Sequence, residues 1–471
     1  MKNNPFIQKS KDAKQTFSLF TEEQWKEKST SYPTEIQHFF CGKKKEFFVL
    51  THQNKTEFLI GLGSNPKAFE LQEVGEKFSS TYSKNIQSVE SNIVSNLNSS
   101  DLEAFVLGLF LGSYQYPFSE KHPIWNSKFK LDIPNSTKKS NGKLAQQVDA
   151  FCTGQFAAMD WLNKPANFKK TPQVTDFLKK ISKEYSFDLQ IFNRKESEKL
   201  GLGAFVAVNQ GSAEDCAFSI IKYNGGKKNA KTIGLIGKCV LFDTGGISIK
   251  GSANLHYMKS DMGGATAVIG TLITAAKLQL PINIVAILPV TDNAVSDRAY
   301  LPSDVVTAYN GKTIEVLNTD AEGRMTLADA LAYHTKNFKT EYLIDLATLT
   351  GSAVRMFGDT CGALFSNDEG LQKALITSGD KTNQRLWNMP MWDVWNDDFK
   401  SDVADFKNIS MKPVGDCIVA AKFLEHFLEN DVKWAHLDIA GVAFGNTNYS
   451  KEKAATGYGV QLLIDFIENL A

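Results

Sequence analysis

The sequence is poor in cysteine, and the cysteines it has are scattered. Six of them stand at positions 41, 152, 216, 239, 361 and 417, and none forms a CxxC pair. This spacing argues against a structural zinc finger and against a disulfide scaffold. Reduced thiols in a cytosolic protein are the simplest interpretation.

The chain also lacks net charge and long apolar runs. Lysine and arginine total 52, and aspartate and glutamate also total 52. Without a basic field, binding to nucleic acid or to a membrane surface is not expected. No apolar run reaches the ~18 residues that span a bilayer, and the first residues lack the apolar core of a secretory signal. We therefore expect a cytoplasmic protein.

Several familiar catalytic motifs are missing. There is no HExxH, which excludes a mononuclear zincin, and no GxxxxGK[ST] phosphate loop. The seven histidines show no spacing typical of metal ligands. Any catalytic chemistry must therefore come from other side chains.

The composition is typical of a large globular protein, and the pattern of apolar and polar residues changes along the chain. We predict a smaller N-terminal α/β domain and linker over residues 1–143, with strands at 47–50 and 58–62 and a helix at 101–110. Residues 134–143 are polar, lack large apolar side chains and are predicted to be a linker or exposed loop.

Residues 144–471 are predicted to form an α/β catalytic domain with a central mixed, largely parallel sheet flanked by helices. Predicted strands cover 232–243, 282–290, 341–346 and 434–440, and predicted helices cover 265–278, 326–335 and 418–428. Near-continuous apolar strands between helices are typical of a sheet covered on both faces. In such sheets the polar chemistry gathers where strands end.

Three charged segments lie at these predicted strand ends, each beside a glycine or a helix start. They are residues 237–250, 258–264 and 318–324. They offer four carboxylates and three cations: Asp243, Asp261, Asp320, Glu322, Lys238, Lys250 and Arg324. Four carboxylates cannot share an apolar pocket without compensating cations. The basic side chains could compensate them, or two divalent metals about 3.5–4 Å apart, which form a known hydrolytic arrangement.

Each residue also has a simpler interpretation. Asp320 would cap a helix with Glu322 in its first turn, Asp261 would cap another helix, and Lys238 would be a surface lysine. The presence of all three segments within about 90 residues favours a metal hydrolase.

The sequence NTDAEGRMTLADAL, at 318–331, resembles the signature of the cytosolic leucine aminopeptidase family, the M17 metallopeptidases. Further blocks resemble the family in the same order, at 242–250, 258–264, 280–285, 347–351, 401–405 and 434–441. Weaker similarity occurs at 163–167 and 200–204. The resemblance covers about residues 160–471. It implies a metal-dependent aminopeptidase that releases N-terminal amino acids, preferably Leu-like, from peptides.

The resemblance also implies a site for two divalent metal ions, Mn²⁺ or Zn²⁺. Its ligands would be Lys238, Asp243, Asp261, Asp320 and Glu322. Asp243 and Glu322 would bridge the metals, Lys238 and Asp261 would complete the tighter site, and Asp320 would complete the exchangeable one. Lys238 would bind as a neutral amine, which burial and two adjacent dications favour.

The implied mechanism uses Lys250 and Arg324 as the catalytic pair. The free α-amino group of the peptide would bind one metal, and a bridging water or hydroxide would attack the scissile carbonyl. Lys250 would stabilise the developing oxyanion. Arg324 would hold a bicarbonate ion that relays the proton, because a guanidinium suits planar, bidentate binding of such an ion.

Six positions would line the substrate pocket by the same resemblance: Met258, Asn318, Thr348, Leu349, Gly351 and Ala440. Met258 and Ala440 would shape an apolar S1 site, although Met258 is equally compatible with core packing. The resemblance also implies a homohexamer of two stacked trimers.

Three positions depart from the family pattern. Cys239 stands beside Lys238 where the family usually has glycine, His256 replaces a common acid, and Ser303 replaces a common glycine. These departures bear on metal preference and substrate range.

Two other functions stay open. Another two-metal hydrolase, such as a phosphatase, would usually use His ligands, and a lysine ligand fits it poorly. A DNA-binding protein on the same scaffold would need a basic patch, and the lysine runs at 43–45 and 138–139 are short. Nucleic acid is therefore not an expected partner.

Overall fold

The computed structural model describes residues 7, 13–52, 54–86, 90–116, 130–133, 138–226, 230–412 and 414–470. The chain divides into two compact units. Unit 1 comprises Met1–Cys152 and Thr447–Lys451, and unit 2 comprises Thr153–Asn446 and Glu452–Ala471. Among the described residues, no helix has the length and apolar content needed to cross a membrane.

Unit 1 is built around a sheet with helices. Its strands are β1 Gln15–Thr21, β2 Phe47–His52, β3 Lys55–Gly63, β4 Glu90–Val94 and β5 Lys130–Asp132. Its helices are α1 Glu22–Lys28, α2 Thr34–Gln37, α3 Ala68–Ile86 and α4 Ser99–Leu111, with a 3₁₀ turn at Ser29–Ser31. The strand order is β2-β3-β1-β4-β5, antiparallel between β2 and β3 and parallel elsewhere. The strands and helix predicted at 47–50, 58–62 and 101–110 are confirmed.

Aromatic side chains fill the core of unit 1. Phe17, Phe58 and Phe78 are buried and pack edge to face, with ring centroids 5.2–5.8 Å apart. On the surface, Lys44 Nζ lies 3.0 Å from Glu70, and Lys45 Nζ lies 2.9 Å from Glu73. The lysine run at 43–45 is thus largely neutralised by acids, which does not favour a basic patch.

Helix α5, Lys138–Asn163, contains the boundary between the two units. Residues 138–143 belong to this helix, so the prediction of a linker or exposed loop is wrong there; residues 134–137 lie outside the described residues. The apolar side chains Leu144, Val148 and Cys152 are buried and recur every four residues. Burial of that apolar stripe stabilises the helix, and the polar residues 138–143 form its first turns.

Unit 2 carries the larger sheet. Its strands are β6 Asp188–Asn193, β7 Ala217–Asn224, β8 Thr232–Gly237, β9 Cys239–Asp243, β10 Asn283–Asn293, β11 Val305–Thr307, β12 Thr313–Glu315, β13 Tyr342–Ala347, β14 Gly362–Ser366, β15 Leu386–Asn388, β16 Phe406–Lys407, β17 Trp434–Asp438, β18 Phe444–Gly445 and β19 Ala454–Ala455. Its helices are α6 Thr171–Tyr185, α7 Arg194–Leu200, α8 Gly203–Asn209, α9 Gly263–Leu278, α10 Glu322–Asn337, α11 Gly351–Phe357, α12 Glu369–Thr382, α13 Asp416–Glu425 and α14 Val460–Glu468. Turns of 3₁₀ helix occur at Ala166–Phe168, Leu255–Ser260 and Asp393–Phe399.

The main sheet of unit 2 is mixed, with a parallel centre. Its order is β15-β14-β17-β13-β8-β10-β7-β6, and β9 pairs with β10. Strands β17, β13, β8 and β10 are mutually parallel where they pair, whereas β6, β7 and the β14–β17 pair are antiparallel. The predicted fold class is confirmed.

Apolar packing between strands and helices fixes this arrangement. Leu327 and Leu331 of α10 share a buried cluster with Ile236 of β8, Ile287 of β10 and Phe205 of α8. Helix α9 packs on β8 and β13 and against α14. The predicted strands and helices of this part of the chain are all present, except that residues 232–243 form two strands interrupted at Lys238.

The parallel strands bring their carboxyl ends to one edge of the sheet. β8 ends at Gly237, β10 at Asn293, β13 at Ala347 and β17 at Asp438. Helices α9 and α10 also begin next to this edge, close to Lys238 at the break between β8 and β9. Ligands of open α/β sheets bind at such an edge.

Candidate metal centre at the carboxyl edge of the sheet

Lys238 lies in the break between β8 and β9 and is 3% exposed. Its backbone stays in register, because its N–H donates to Leu346 O and its carbonyl accepts from Ala265 N, both at 3.0 Å. Its Nζ lies 2.8 Å from Asp261 Oδ2 and 2.9 Å from Glu322 Oε1. The sheet therefore directs this ammonium group into the acids and not toward solvent.

Asp243 ends β9 and forms the second part of the cluster. Its Oδ1 accepts hydrogen bonds from Gly245 N and from Asn293 Nδ2, each at 2.8 Å. Its Oδ2 lies 2.8 Å from Lys250 Nζ, which also contacts Asp320 Oδ1. The chain reverses between these residues at Gly245, whose φ of 88° suits glycine.

Asp320 and Glu322 enter from the start of α10. The N-cap residue is Ala321, and no side chain caps the helix. Asp261 likewise does not cap α9, whose N-cap is Met262 without a side-chain hydrogen bond. The alternative interpretation of these two aspartates as helix caps is therefore wrong, and both carboxylates are directed into the cluster.

The acidic cluster has an unsatisfied oxygen. Asp243, Asp320 and Glu322 each offer an oxygen within 4.8 Å of the others. Within the described part of the chain, Glu322 Oε2 has no hydrogen-bond partner. Glu322 Oε1, Asp261 Oδ2 and Asp320 Oδ1 are paired with the ammonium groups of Lys238 and Lys250. Buried carboxylates in this state are costly unless cations lie beside them.

Burial and mutual repulsion shift the pKa values of these acids. Burial, and then the charge of Asp243, raise the pKa of Glu322 well above its usual range. Burial raises the pKa of Asp261 to about 6, against the attraction of Lys238. Burial alone would lower the pKa of Lys238, but Asp261, Glu322 and Asp243 raise it overall. The four carboxylates outnumber the two ammonium groups, so the cluster has surplus negative charge.

This donor set fits divalent cations. The carboxylate oxygens are hard ligands that such ions prefer, and Lys238 Nζ would add a nitrogen ligand once a bound cation displaces its proton. The close backbone approach at Gly323 makes room for that lysine, because a Cβ there would lie 2.5 Å from Lys238 Nζ. Metal binding would remove the surplus charge that the two lysines leave.

Arg324, two residues beyond Glu322, is buried and held at both ends of its guanidinium. Its Nη1 donates to Asn408 O at 2.9 Å, and its Nη2 donates to Asp416 Oδ1 at 3.1 Å. Asn408 is itself fixed to the loop before α10, because its Oδ1 accepts from Leu317 N at 2.8 Å. The guanidinium is thus immobilised between Asn408 and Asp416.

The six predicted substrate residues fall into two groups. Thr348, Leu349 and Ala440 follow the ends of β13 and β17: Thr348 O accepts from Lys238 Nζ, and Leu349 N and Ala440 N both donate to Asp438 Oδ1. The other three stand in separate local segments: Met258 in the 3₁₀ turn before Asp261, Asn318 in the loop before Asp320, and Gly351, exposed, at the start of α11.

Sequence reasoning missed three residues that orient this edge. The Asp438 carboxylate accepts hydrogen bonds from the backbone N–H groups of Leu349 and Ala440, and one from Thr350 Oγ1 at 2.6 Å. The side-chain amide of Asn293 donates to both Asp243 Oδ1 and Thr319 O. Asn408 accepts from Arg324 through its backbone carbonyl and donates through its side-chain amide to Asn318 O. Asp438 and Asn293 end strands, so the rule that singled out the acids would have found them.

The three departures from the family pattern have different settings. Cys239 is fully buried, and burial raises the pKa of its thiol to about 12. His256 is exposed and lies with its ring 4.0 Å from that of Tyr257. Ser303 has a φ of 87°, a conformation that favours the glycine usual at this position.

Known proteins of one family are similar to this chain in sequence. Residues 156–464 match the model of the cytosol aminopeptidase family, catalytic domain. A probable cytosol aminopeptidase of Rickettsia massiliae (strain Mtu5) is 37% identical over 501 aligned residues, covering 99% of each chain. One from Rickettsia canadensis (strain McKiel) is 39% identical, covering 91% of this chain and 89% of its own.

Solved structures give the same result for the fold. The bottromycin maturation enzyme BotP in complex with Mn superposes with a TM-score of 0.86 at 26% identity, covering 98% of this chain and all of that one. A second structure of BotP gives a TM-score of 0.85. The similarity thus extends over both units of the chain.

Proposed function

Because the chain belongs to the cytosol aminopeptidase family and is therefore a metal-dependent aminopeptidase, we propose that its active site is the cluster at the carboxyl edge of the unit 2 sheet. Two divalent ions would be held by Lys238, Asp243, Asp261, Asp320 and Glu322. The observation that carries this proposal is the convergence of four carboxylates from three separate segments on two ammonium groups, with Glu322 Oε2 lacking any hydrogen-bond donor among the described residues. We propose Mn²⁺ or Zn²⁺ as the ions, and the neighbour solved with Mn supports the former.

When bound, the metals supply Lewis-acid chemistry, polarising the peptide carbonyl and activating water. The chain's own residues orient and stabilise. Lys250 is about one-quarter exposed and lies against Asp243 and Asp320, so its ammonium group faces both the cluster and entering substrate. From there it donates to the oxygen of the scissile carbonyl as negative charge develops.

The proposed metal centre favours a peptide with a free α-amino group, because the lone pair of that amine would be available to a bound metal ion. The nitrogen of an acylated N-terminus is an amide and offers no such lone pair. We propose a preference for Leu-like N-terminal residues, with Met258 and Ala440 forming an apolar wall and Asn318, Thr348, Leu349 and Gly351 lining the rest of the pocket.

We also propose that Arg324 holds the anion that assists proton transfer, with bicarbonate as the external candidate. The fixed, planar guanidinium supports this role. A cytoplasmic location is a further proposal, supported by the names of the relatives. A homohexameric assembly is also proposed, on the family resemblance alone.

A three-substrate assay tests the function. With Mn²⁺, the full chain should cleave Leu-p-nitroanilide, leave its N-acetylated form intact and leave p-nitrophenyl phosphate intact; EDTA should stop cleavage. Hydrolysis of the phosphate ester instead would favour the phosphatase alternative. Asp320→Ala should abolish turnover, whereas Arg324→Ala should slow it without reducing metal content. Near-normal turnover by the Asp320 variant would overturn the site.

A further inference from the structure

The guanidinium of Arg324 is already paired with an anion from its own chain. Arg324 is 4% exposed, and each of its terminal nitrogens donates to an oxygen. The Asn408 oxygen is a neutral carbonyl, but the Asp416 oxygen, 3.1 Å from Nη2, belongs to a carboxylate. The position expected for a trigonal oxyanion therefore has a trigonal oxyanion within hydrogen-bond distance.

The backbone fixes this carboxylate in place. Asp416 is the first residue of α13, and Gly415 before it has a φ of 70°, which turns the chain into the helix. Helix α13 is anchored by buried residues, including Val419 and Phe423 in the main core cluster. The Asp416 side chain is 46% exposed, so it joins the buried cation to solvent.

An anion supplied by the chain has an advantage over one from solution. It is held close to the cation at high effective concentration, whereas a free ion must be captured. It also neutralises the charge that would attract a second anion. A free bicarbonate must therefore displace Asp416 or share the guanidinium with it.

We propose that Asp416 is the intrinsic anion of Arg324 and that it makes the enzyme largely independent of external bicarbonate. Asp416 acts as a positioning residue through Arg324. This inference rests on the proposed function, in which Arg324 is the anion-holding member of the catalytic pair.

Binding of ¹³C-bicarbonate, followed by NMR line broadening on the full chain, tests the proposal without turnover. Asp416→Asn keeps the side-chain shape and removes the charge. It should bind bicarbonate about tenfold more tightly than the unaltered chain, since one charge-assisted hydrogen bond to the guanidinium becomes available. The matched control is Asp393→Asn, which removes an ion pair to Lys422 on the same helix (3.0 Å) and leaves Arg324 untouched. Equal bicarbonate affinity in all three proteins would overturn the proposal.

Turnover of Leu-p-nitroanilide in CO₂-depleted buffer gives the second readout. The unaltered chain and Asp393→Asn should keep their kcat, Asp416→Asn should lose about tenfold, and added bicarbonate should restore it. Asp416→Glu, which retains the carboxylate, should need no added bicarbonate. Equal stimulation of the unaltered chain and Asp416→Asn by bicarbonate would overturn the proposal. If the unaltered chain cleaves no aminoacyl anilide at all, the proposed function fails instead, and the binding titration still decides the role of Asp416.

Discussion

Replacing Glu322 with glutamine should make the metal-free protein more stable and the metal-loaded protein inactive. Glu322 is 1% exposed, its Oε1 lies 2.9 Å from Lys238 Nζ, and its Oε2 has no hydrogen-bond partner within the described chain. Neutralising such a group recovers about 1–3 kcal/mol. Lys238 loses one partner but keeps Asp261 at 2.8 Å and Thr348 O at 3.1 Å. We expect the free energy of unfolding to rise by about 1–2 kcal/mol in EDTA.

Divalent ions should reverse this order of stability, so that the unaltered protein becomes more stable than Glu322→Gln. Metal binding stabilises the unaltered protein by about 2.7 kcal/mol for one site at a hundredfold excess over Kd. Glu322→Gln removes one of the proposed metal ligands and should lose most of that gain. The assay is urea unfolding with EDTA and with Mn²⁺, together with metal content and cleavage of Leu-p-nitroanilide.

A purely structural ion pair predicts the opposite sign. Breaking a buried pair by removing one partner costs about 3–5 kcal/mol, so the Glu322 variant would be less stable in EDTA. The matched control is Glu76→Gln in α3, where burial raises the pKa of the carboxyl to about 7. Glu76→Gln should change the free energy of unfolding by the same amount with and without Mn²⁺. A Glu322 variant that is destabilised in EDTA, or that retains two metals, would refute the reasoning.

Three further predictions concern the surroundings of the site. Gly323→Ala should lower metal content and turnover, because its Cβ would meet Lys238 Nζ at 2.5 Å; Gly142→Ala, where a Cβ meets nothing within 4 Å, is the control. Ser303→Gly should raise the free energy of unfolding by about 1 kcal/mol in urea, because it relieves the φ of 87°; a loss of stability would contradict this. Burial lowers the pKa of Lys169 from 10.5 to about 7. The unfolded chain therefore binds more protons between these values, and the unaltered protein should gain up to about 1.4 kcal/mol per pH unit between about pH 7 and 10. Lys169→Met should lack this slope in urea titrations, and equal slopes would exclude Lys169 as its source.

The sequence predicted the elements of unit 2 well because their signals are local. Strands β8, β10 and β13 are continuous apolar runs, and α9 and α10 follow directly on the charged segments. The prediction failed at 138–143, where polar side chains suggested a loop. That stretch is helical because buried residues further along, such as Leu144 and Val148, stabilise the whole of α5.

The sequence by itself determined which residues carry charge at strand ends, because burial pattern and chain order are written in it. It also carried the family resemblance that assigned them as ligands. Only the tertiary structure decided which side chains meet. The pairing of Arg324 with Asp416 joins positions 92 residues apart, and the contact of Lys238 with Glu322 depends on adjacent parallel strands and the start of α10. Such contacts depend on strand order and helix placement, which follow from the packing of the whole domain and not from any local stretch of chain.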